Sequence, residues 1–267
     1  SFNRVVLGKH LGLSCSLVFA IPDHPWVDAS DGAAIRVALT AARRETSAGA
    51  LSNVTSESTI GDGEVAVTLE IRTGPITPGL TIGLDIAAAP PLRANGGMCC
   101  VGYQLSGQGF VLDAADAERV DPSFGTPSAR ARQLIGGRDI VQSPRGLFAL
   151  DLFGLTEEAL RRSYPAAYQW ILDRVKPERE QNTRAAVRDR WWLFGEARST
   201  FRPALQGTDW AIATSLTAKH RIFVRVPSNA ICDSTTVMFS LPDLELLGVL
   251  SSQLHVGWYQ AGSDVQQ

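Results

Sequence analysis

The sequence of 267 residues has few of the residues that build metal and redox sites. Its four cysteines, Cys15, Cys99, Cys100 and Cys232, lack metal-ligand spacing, and an adjacent Cys-Cys pair is a poor disulfide framework. We therefore expect reduced thiols in a cytoplasmic protein. The four histidines are scattered and form no HExxH or HxH pattern, so we interpret them as structural and predict no metal site.

Catalytic and targeting motifs are also missing. There is no G-x-x-x-x-G-K-[ST] loop and no strand–GxGxxG–helix unit, so no phosphate-binding loop is predicted. We find no Ser/His/Asp or Cys/His arrangement, and carboxylates pair only in surface-like positions such as Glu157-Glu158. No apolar run is long enough to cross a bilayer, and the first residues lack the apolar centre of a signal peptide. The sequence favours binding over catalysis, with no role at a membrane.

Charge is unevenly distributed along the chain. The net charge is −2, but residues 161–225 contain thirteen Lys or Arg against six Asp or Glu. This segment therefore carries +7 and the remainder −9. Such an asymmetry fits the binding of an acidic partner through one face.

The most informative stretch is residues 164–195, YPAAYQWILDRVKPEREQNTRAAVRDRWWLFG. Pro165 suits a first helical turn, and an apolar face at helical spacing follows, made of Tyr168, Ile171, Leu172 and Val175. Pro177 is expected to end or kink this helix at Lys176. A basic run and the segment Trp191–Gly195 come next, which fits arginines that meet phosphates while aromatics fix the backbone. The alternative is a solvated helix ending in a core plug.

Hydrophobic patterning elsewhere predicts a mixed fold, α/β to α+β. We predict a helix in residues 2–11 and two strands, 16–21 and 34–40, buried on both faces. The polar residues 43–63 indicate a linker. Beyond it we expect strands at 64–71, 147–153, 210–214, 221–226 and 236–240, helices near 114–119 and from 156, and a closing helix capped by Ser240.

Several segments, taken in order and spacing, resemble the specificity half of bacterial adenine-specific DNA methyltransferases, in particular the MmeI-like, type IIL restriction–modification enzymes. The resemblance covers nearly the whole chain. It is carried by residues 80–83, 91–95, 107–110, 137–139, 164–182, 190–195, 212–214, 219–221 and 247–252. One departure is Asp209-Trp210, where an Arg-Tyr pair is expected before the Ile-Ala-Thr segment.

The resemblance implies a domain organisation. Residues 1–45 would be the carboxyl-terminal edge of a methyltransferase domain, a helix and an antiparallel strand pair, with 46–63 as linker and 64–267 as a mixed α+β target recognition domain. The chain contains no Asn-Pro-Pro-[Tyr/Phe] motif, no glycine-rich S-adenosylmethionine loop and no PD-(D/E)xK constellation. We therefore expect a fragment without catalytic residues or cofactor. The parent would be a DNA adenine-N6 methyltransferase of a type II restriction–modification system, whose other domains bind S-adenosylmethionine.

The resemblance and the charge pattern together imply sequence-specific binding of double-stranded DNA that positions an adenine for methylation, and possible cleavage, by those other domains. Cations would contact phosphates, and Gln, Asn or Arg would read base edges. The predicted DNA-binding residues are Arg138, Lys176, Arg179, Gln181, Asn182, Arg184, Arg188, Arg190, Arg198, Thr214, Lys219, His220 and Arg221. In adenine methyltransferases an aromatic between the closing strands stacks on the flipped base, and Trp26, in the loop 22–28, resembles it. The alternative, which the sequence alone favours, is that Trp26 packs down as a loop anchor.

Two other functions remain open from the sequence. One is a small-molecule or carbohydrate-binding enzyme domain with a glycine-rich pocket around residues 95–110. The other is a structural spacer whose basic face packs against an acidic neighbouring domain. The Trp191-Trp192 pair is interpreted as core rather than as a base-stacking platform, because the DNA-reading residues need a rigid support.

Overall fold

The computed structural model describes residues 2–11, 15–26, 35–60, 64–83, 89–90, 92–218, 220–241 and 243–262. The chain divides into two compact units, one of residues 1–91 with 261–267 and the other of residues 92–260. The division at residue 91 differs from the predicted organisation, which placed a linker at residues 46–63.

The first unit is a helix followed by a four-stranded sheet. It contains α1 (Phe2–His10), β1 (Ser16–Trp26), β2 (Ile35–Arg43), β3 (Gly49–Ile60) and β4 (Glu64–Gly74). The strand order is β2-β1-β3-β4, with β1 and β3 parallel and the other pairs antiparallel. A small core is formed by Leu17, Ala20, Leu51 and Ile76.

Three predictions for this unit were wrong in detail. The expected linker contains the strand β3, because its Ser and Thr residues pair with β4 along the whole hairpin and leave polar side chains exposed. The strand β2 is mostly exposed rather than buried on both faces, since it has a strand neighbour on one side only among the described residues. The expected loop 22–26 belongs to β1, and a register shift between Ile21 and His24 accommodates Pro22, which has no N–H to donate.

The second unit combines two four-stranded sheets with short helices. One sheet has the order β10-β9-β12-β5 and the other β11-β7-β8-β6. The elements are β5 (Cys99–Val101), β6 (Val111–Leu112), α2 (Ala114–Val120), β7 (Ala131–Ile135), α3 (Gly137–Val141), β8 (Phe148–Leu150), α4 (Glu157–Ser163), α5 (Pro165–Arg174), α6 (Lys176–Glu180), α7 (Ala185–Asp189), β9 (Trp210–Ser215), β10 (Phe223–Pro227), β11 (Ile231–Cys232), β12 (Thr236–Phe239), α8 (Leu244–Leu250) and α9 (Gln253–Gly262).

The core of this unit forms around the predicted helix and aromatic segment. In α5 Ile171 is fully buried, as is Val175 at its end, which confirms the predicted apolar face. Trp191 and Phe194 are buried as well, and the Phe194 ring meets Phe110 edge to face at 5.2 Å. The half-buried Trp192 donates its indole N–H to the carbonyl of Leu155 at 2.9 Å. The aromatic segment is therefore core, as the sequence predicted.

The carboxyl-terminal helices differ from the sequence prediction. Two helices, α8 and α9, stand where one closing helix was expected, and Asp243 rather than Ser240 precedes the first. Ser240 instead bonds the carbonyl of Met98 through both its N–H and its hydroxyl, which joins β12 to the start of β5. Leu250 is buried, whereas Leu244 and Leu254 are exposed. Among all the helices described here, none is both long enough and apolar enough to cross a membrane.

Candidate nucleic-acid interface

The basic run after α5 folds as two short helices, α6 and α7, joined at Asn182. The backbone N–H of Asn182 donates to the carbonyl of Arg179 at 3.0 Å, and the side-chain oxygen of Asn182 accepts from the backbone N–H of Arg184 at 2.9 Å. Arg188 donates from Nη1 to the carbonyls of Asn182 and Thr183, at 2.7 and 3.1 Å. The turn is thus held by its own hydrogen bonds, and we refer to residues 176–190 as the basic turn.

The predicted DNA-binding residues divide by exposure. Those exposed to solvent are Arg138, Gln181, Arg184, Arg188, Arg190 and His220. Those partly buried are Lys176, Asn182, Arg198 and Arg221. Arg179 and Thr214 are buried, and Lys219 lies outside the described residues.

Arg190 and Arg198 come together across one cavity. The cavity has a volume of about 330 Å³ and is also lined by Ala186 and Val187 of α7 and by Glu196. Arg198 donates from Nε to the carbonyl of Gly102 at 3.0 Å, and its Nη1 lies 4.0 Å from the Glu196 carboxylate. Its φ of 50° is in the left-handed region, which costs free energy in a non-glycine residue.

Arg179 is buried, although the sequence predicted that it contacts DNA. Its side chain is 1% exposed, and Nη2 donates to the carbonyls of Leu105 and Leu193, each at 2.9 Å. Its guanidinium carbon lies 5.6 Å from the ring centre of Phe110. Burial lowers the pKa of this guanidinium, while the nearby carboxylate of Glu178 acts in the opposite direction. Because the guanidinium of Arg179 donates to carbonyls inside the protein, Arg179 supports the basic turn from the interior.

Thr214 is the second predicted DNA contact that the structure places in the interior. It lies in the interior of β9, is 3% exposed, and its hydroxyl has no hydrogen-bond partner within the described part of the chain. Beside it, the carbonyl of Ser215 accepts a hydrogen bond from Nη1 of Arg221, whose guanidinium carbon lies 4.0 Å from the ring centre of Tyr259. Gly137 is so close to Ser215 that an added Cβ would lie 2.7 Å from the Ser215 hydroxyl. The start of α3, which contains Arg138, thus packs against the end of β9.

Two exposed tryptophans lie at strand ends. Trp26 is 46% exposed at the end of β1, where it pairs with Ile35. Residues 27–34, the remainder of the predicted hairpin tip, lie outside the described residues. Trp210 is 41% exposed at the start of β9, and the guanidinium carbon of Arg225 lies 4.7 Å from its ring centre. At the departure Asp209-Trp210, the exposed Trp210 ring therefore lies beside the guanidinium of Arg225.

Sequence reasoning missed one group of cations. Arg130, Arg132 and Arg202 line a second cavity, with Asp151 as the carboxylate among them. The pattern Arg-Ala-Arg at residues 130–132 was an available signal, because alternate residues of a strand point to the same face. Arg202 lies 51 residues from Asp151 in the chain, so no local pattern connects them.

In the glycine-rich region around residues 95–110, two glycines allow close packing of the backbone. At Gly109 an added Cβ would lie 2.6 Å from Cβ of Arg174, so this glycine permits close packing of the 107–110 segment on α5. Gly102 packs in the same way against the carbonyls of Cys232 and Asp233. Over the described residues, no group of three or more His, Cys, Asp or Glu side chains is placed to hold a metal ion.

Comparisons with known proteins point to one architecture. No protein-family model matches this chain, and no curated protein shows a significant sequence match. Among solved structures the fold is similar to that of the type IIL restriction–modification enzyme MmeI, determined in complex with DNA, with a TM-score of 0.70 and 16% sequence identity. The match covers 96% of this chain and 34% of the MmeI chain, so this chain spans about a third of that protein. The mixed α+β fold predicted from the sequence is confirmed.

Proposed function

We propose that this chain binds double-stranded DNA in a sequence-specific manner and positions an adenine for N6 methylation by the catalytic domains of a larger restriction–modification enzyme. The observation that carries the proposal is the similarity of 96% of the chain to one part of an enzyme whose structure contains DNA. The structure of that enzyme with DNA has implications for the engineering of new specificities, and we propose that the part shared with this chain takes part in sequence recognition.

For the domain assignment, we propose that residues 1–45 belong to the edge of a methyltransferase domain, as the resemblance of the sequence implies. The recognition function would lie in the carboxyl-terminal part, where the unit 92–260 contains the basic turn. In this proposal S-adenosylmethionine binds to other domains of the parent, and this chain contributes binding and positioning without catalysis.

The basic turn supplies both kinds of contact that sequence-specific DNA binding needs. Arg184 and Arg190 are exposed and make no side-chain hydrogen bonds to the described residues, so their donors are free for phosphates. The side-chain amide of the exposed Gln181 is available for a base edge, where a bidentate contact gives about 1–3 kcal/mol of discrimination. Asn182 uses its side-chain oxygen within the turn, so we assign it mainly to holding the turn's shape.

Trp26 is the proposed partner of a flipped base. A base that leaves the duplex loses stacking worth a few kcal/mol, and an aromatic face recovers part of that. Trp26 is half exposed, and its position next to two prolines stiffens the strand end that carries it.

The experiment that tests the function uses the whole chain and a random duplex library. Repeated selection of bound duplexes should enrich one sequence motif, and binding to that motif should weaken steeply as salt rises because counterions are released. In the double variant Arg184→Gln/Arg190→Gln the slope of log K against log salt should fall by about 2, one unit per lost phosphate contact. Gln181→Ala should relax the preference for the motif without changing that slope.

Arg162→Gln is the matched control, because Arg162 is an exposed arginine in the last turn of α4, away from the basic turn in sequence. Its binding and salt slope should equal those of the parent. A library in which no motif is enriched would refute sequence-specific recognition. An unchanged salt slope in the double variant would remove Arg184 and Arg190 from the interface.

A further inference from the structure

A second group of arginines, separate from the basic turn, surrounds one buried carboxylate. Arg130 and Arg132 stand on either side of the first residue of β7, and Arg202 begins a short 3-10 helix that ends at Leu205. The three side chains and Asp151 line a cavity of about 300 Å³ within the second unit. We call it the arginine cavity.

Within the arginine cavity, Arg202 already satisfies Asp151. Their contact is bidentate, with Nη1 at 2.8 Å from Oδ2 and Nη2 at 3.0 Å from Oδ1, the strong geometry for this pair. The Asp151 side chain is 2% exposed and that of Arg202 is 13% exposed. The guanidinium also lies between two rings, 4.7 Å from the centre of Tyr103 and 4.4 Å from that of Phe153, and Nε bonds the carbonyl of Ala197. This neutral pair is therefore a rigid wall of the cavity.

The other two arginines have no carboxylate of their own among the described residues, because Asp151 is already bound by Arg202. Nη1 of Arg132 lies 3.6 Å from Asp151, too far for a good hydrogen bond, and the side chain is 29% exposed. Arg130 donates from Nη1 to the carbonyl of Phe153 at 3.2 Å and has further donors to spare. Among the described residues that line the cavity, Asp151 is the only carboxylate. The lining therefore carries a net charge of +2.

We propose that the arginine cavity is a binding site for a phosphate group. Two unmatched positive charges beside a satisfied ion pair repel each other, and a bound dianion removes that repulsion. Guanidinium groups present paired N–H donors that match phosphate oxygens, and the partial burial of Arg132 strengthens such contacts relative to open solvent. Asn229 and Gln206, which also line the cavity, offer amide donors and acceptors for the group that carries the phosphate.

The cavity volume of about 300 Å³ is larger than that of a phosphate ion, so the cavity has room for either a free phosphate or a phosphate of a DNA backbone. Neither Arg130 nor Arg132 belongs to the basic turn, and a phosphate site here does not require that this chain recognises a DNA sequence. A DNA duplex should displace bound phosphate only if the site receives a backbone phosphate, so an experiment can separate the two sources.

The test is a titration of the whole chain with inorganic phosphate in a chloride buffer. Binding is measured by calorimetry and by the rise in melting temperature. We expect saturable binding that weakens about tenfold or more in Arg132→Gln and in Arg130→Gln, as for the loss of a charge-assisted hydrogen bond. Both variants leave the Arg202–Asp151 pair in place, and their melting temperature without phosphate checks that the fold is intact. Arg162→Gln removes the same charge from an exposed helix position and should bind phosphate as the parent does.

Adding a duplex then identifies the source. If the duplex displaces phosphate and Arg132→Gln lowers duplex affinity, the site receives a backbone phosphate. If phosphate binds in an Arg132-dependent way while duplex affinity is unchanged, the site receives a free phosphate. Both results support the site. An absence of saturable phosphate binding by the parent, or equal binding by the parent and both cavity variants, would overturn the proposal.

Discussion

Arg179→Ala tests the distinction between an arginine that supports the interface and one that touches DNA. The substitution removes the donor shared by the carbonyls of Leu105 and Leu193. A buried polar group that loses its partner costs about 1–3 kcal/mol, although the Leu105 carbonyl keeps a long bond of 3.4 Å from the N–H of Gly195. Loss of the packed aliphatic stem adds about 1–2 kcal/mol.

One effect acts in the opposite direction. Nε and Nη1 of Arg179 are buried without a hydrogen-bond partner among the described residues, so the parent bears the cost of an incompletely solvated charge. Removing that charge recovers about 1–4 kcal/mol. The losses amount to about 2–5 kcal/mol and the recovery to about 1–4 kcal/mol. We therefore expect Arg179→Ala to lower the free energy of unfolding by about 1 kcal/mol, and Arg179→Met, which keeps the stem, to stay within about 1 kcal/mol of the parent.

Urea unfolding followed by circular dichroism measures the effect. For a unit of this size, 1 kcal/mol corresponds to a shift of about 2–4 °C in melting temperature, so in a thermal scan Arg179→Ala should melt about 2–4 °C below the parent. Arg184→Ala, an exposed arginine of the same turn, is the control and should stay within about 0.5 kcal/mol. A stable Arg179→Ala protein that nevertheless binds DNA weakly would refute the reasoning, because it would make Arg179 an exposed contact.

Two further predictions concern stability. Hydrogen bonds from Arg145 hold the pKa of Asp139 at about 2, below its ordinary 3.8, so the stabilisation is complete above about pH 5 and is lost as pH falls towards 2; urea midpoints measured between pH 6 and pH 2 should fall in the parent and fall less in Asp139→Asn, and an equal fall in both proteins would contradict this. Trp191→Ala should cost about 3–5 kcal/mol, and a urea midpoint equal to that of the parent would show that the Trp191 side chain is not buried; Trp192→Phe should cost only about 1 kcal/mol, for the hydrogen bond to Leu155.

Local patterning predicted the elements that depend on neighbouring residues. The 3.6-residue period placed the buried face of α5 correctly, and Pro177 marked the break between α5 and α6. The density of aromatic residues from Trp191 to Phe194 was sufficient to predict a core segment. These features are readable because helix geometry and apolar burial act over a few residues.

Features that depend on distant partners could not be read in this way. The residues 49–60 are polar enough to suggest a linker, and their pairing with β4 and β1 makes them a strand. Arg179 has the same local setting as the exposed arginines of the basic turn, but its acceptor Leu105 lies 74 residues away in the chain. The arginine cavity is likewise assembled from β7, the end of β8 and a later 3-10 helix. Burial of a charged side chain is a tertiary property, and one sequence does not reveal it.

The internal hydrogen bonds of the basic turn separate its shape from its surface chemistry. Asn182 and the backbone carbonyls around it fix the path of the chain, and Arg179 ties that path to the core. Gln181 and Arg184 project outward and share none of these side-chain contacts. Substitutions at the outward positions therefore leave the free energy of unfolding almost unchanged, and a lineage can replace them one at a time without passing through unstable intermediates. During evolution the backbone of the basic turn can therefore stay the same while its exposed residues change, and with them the surface contacts that the turn can make.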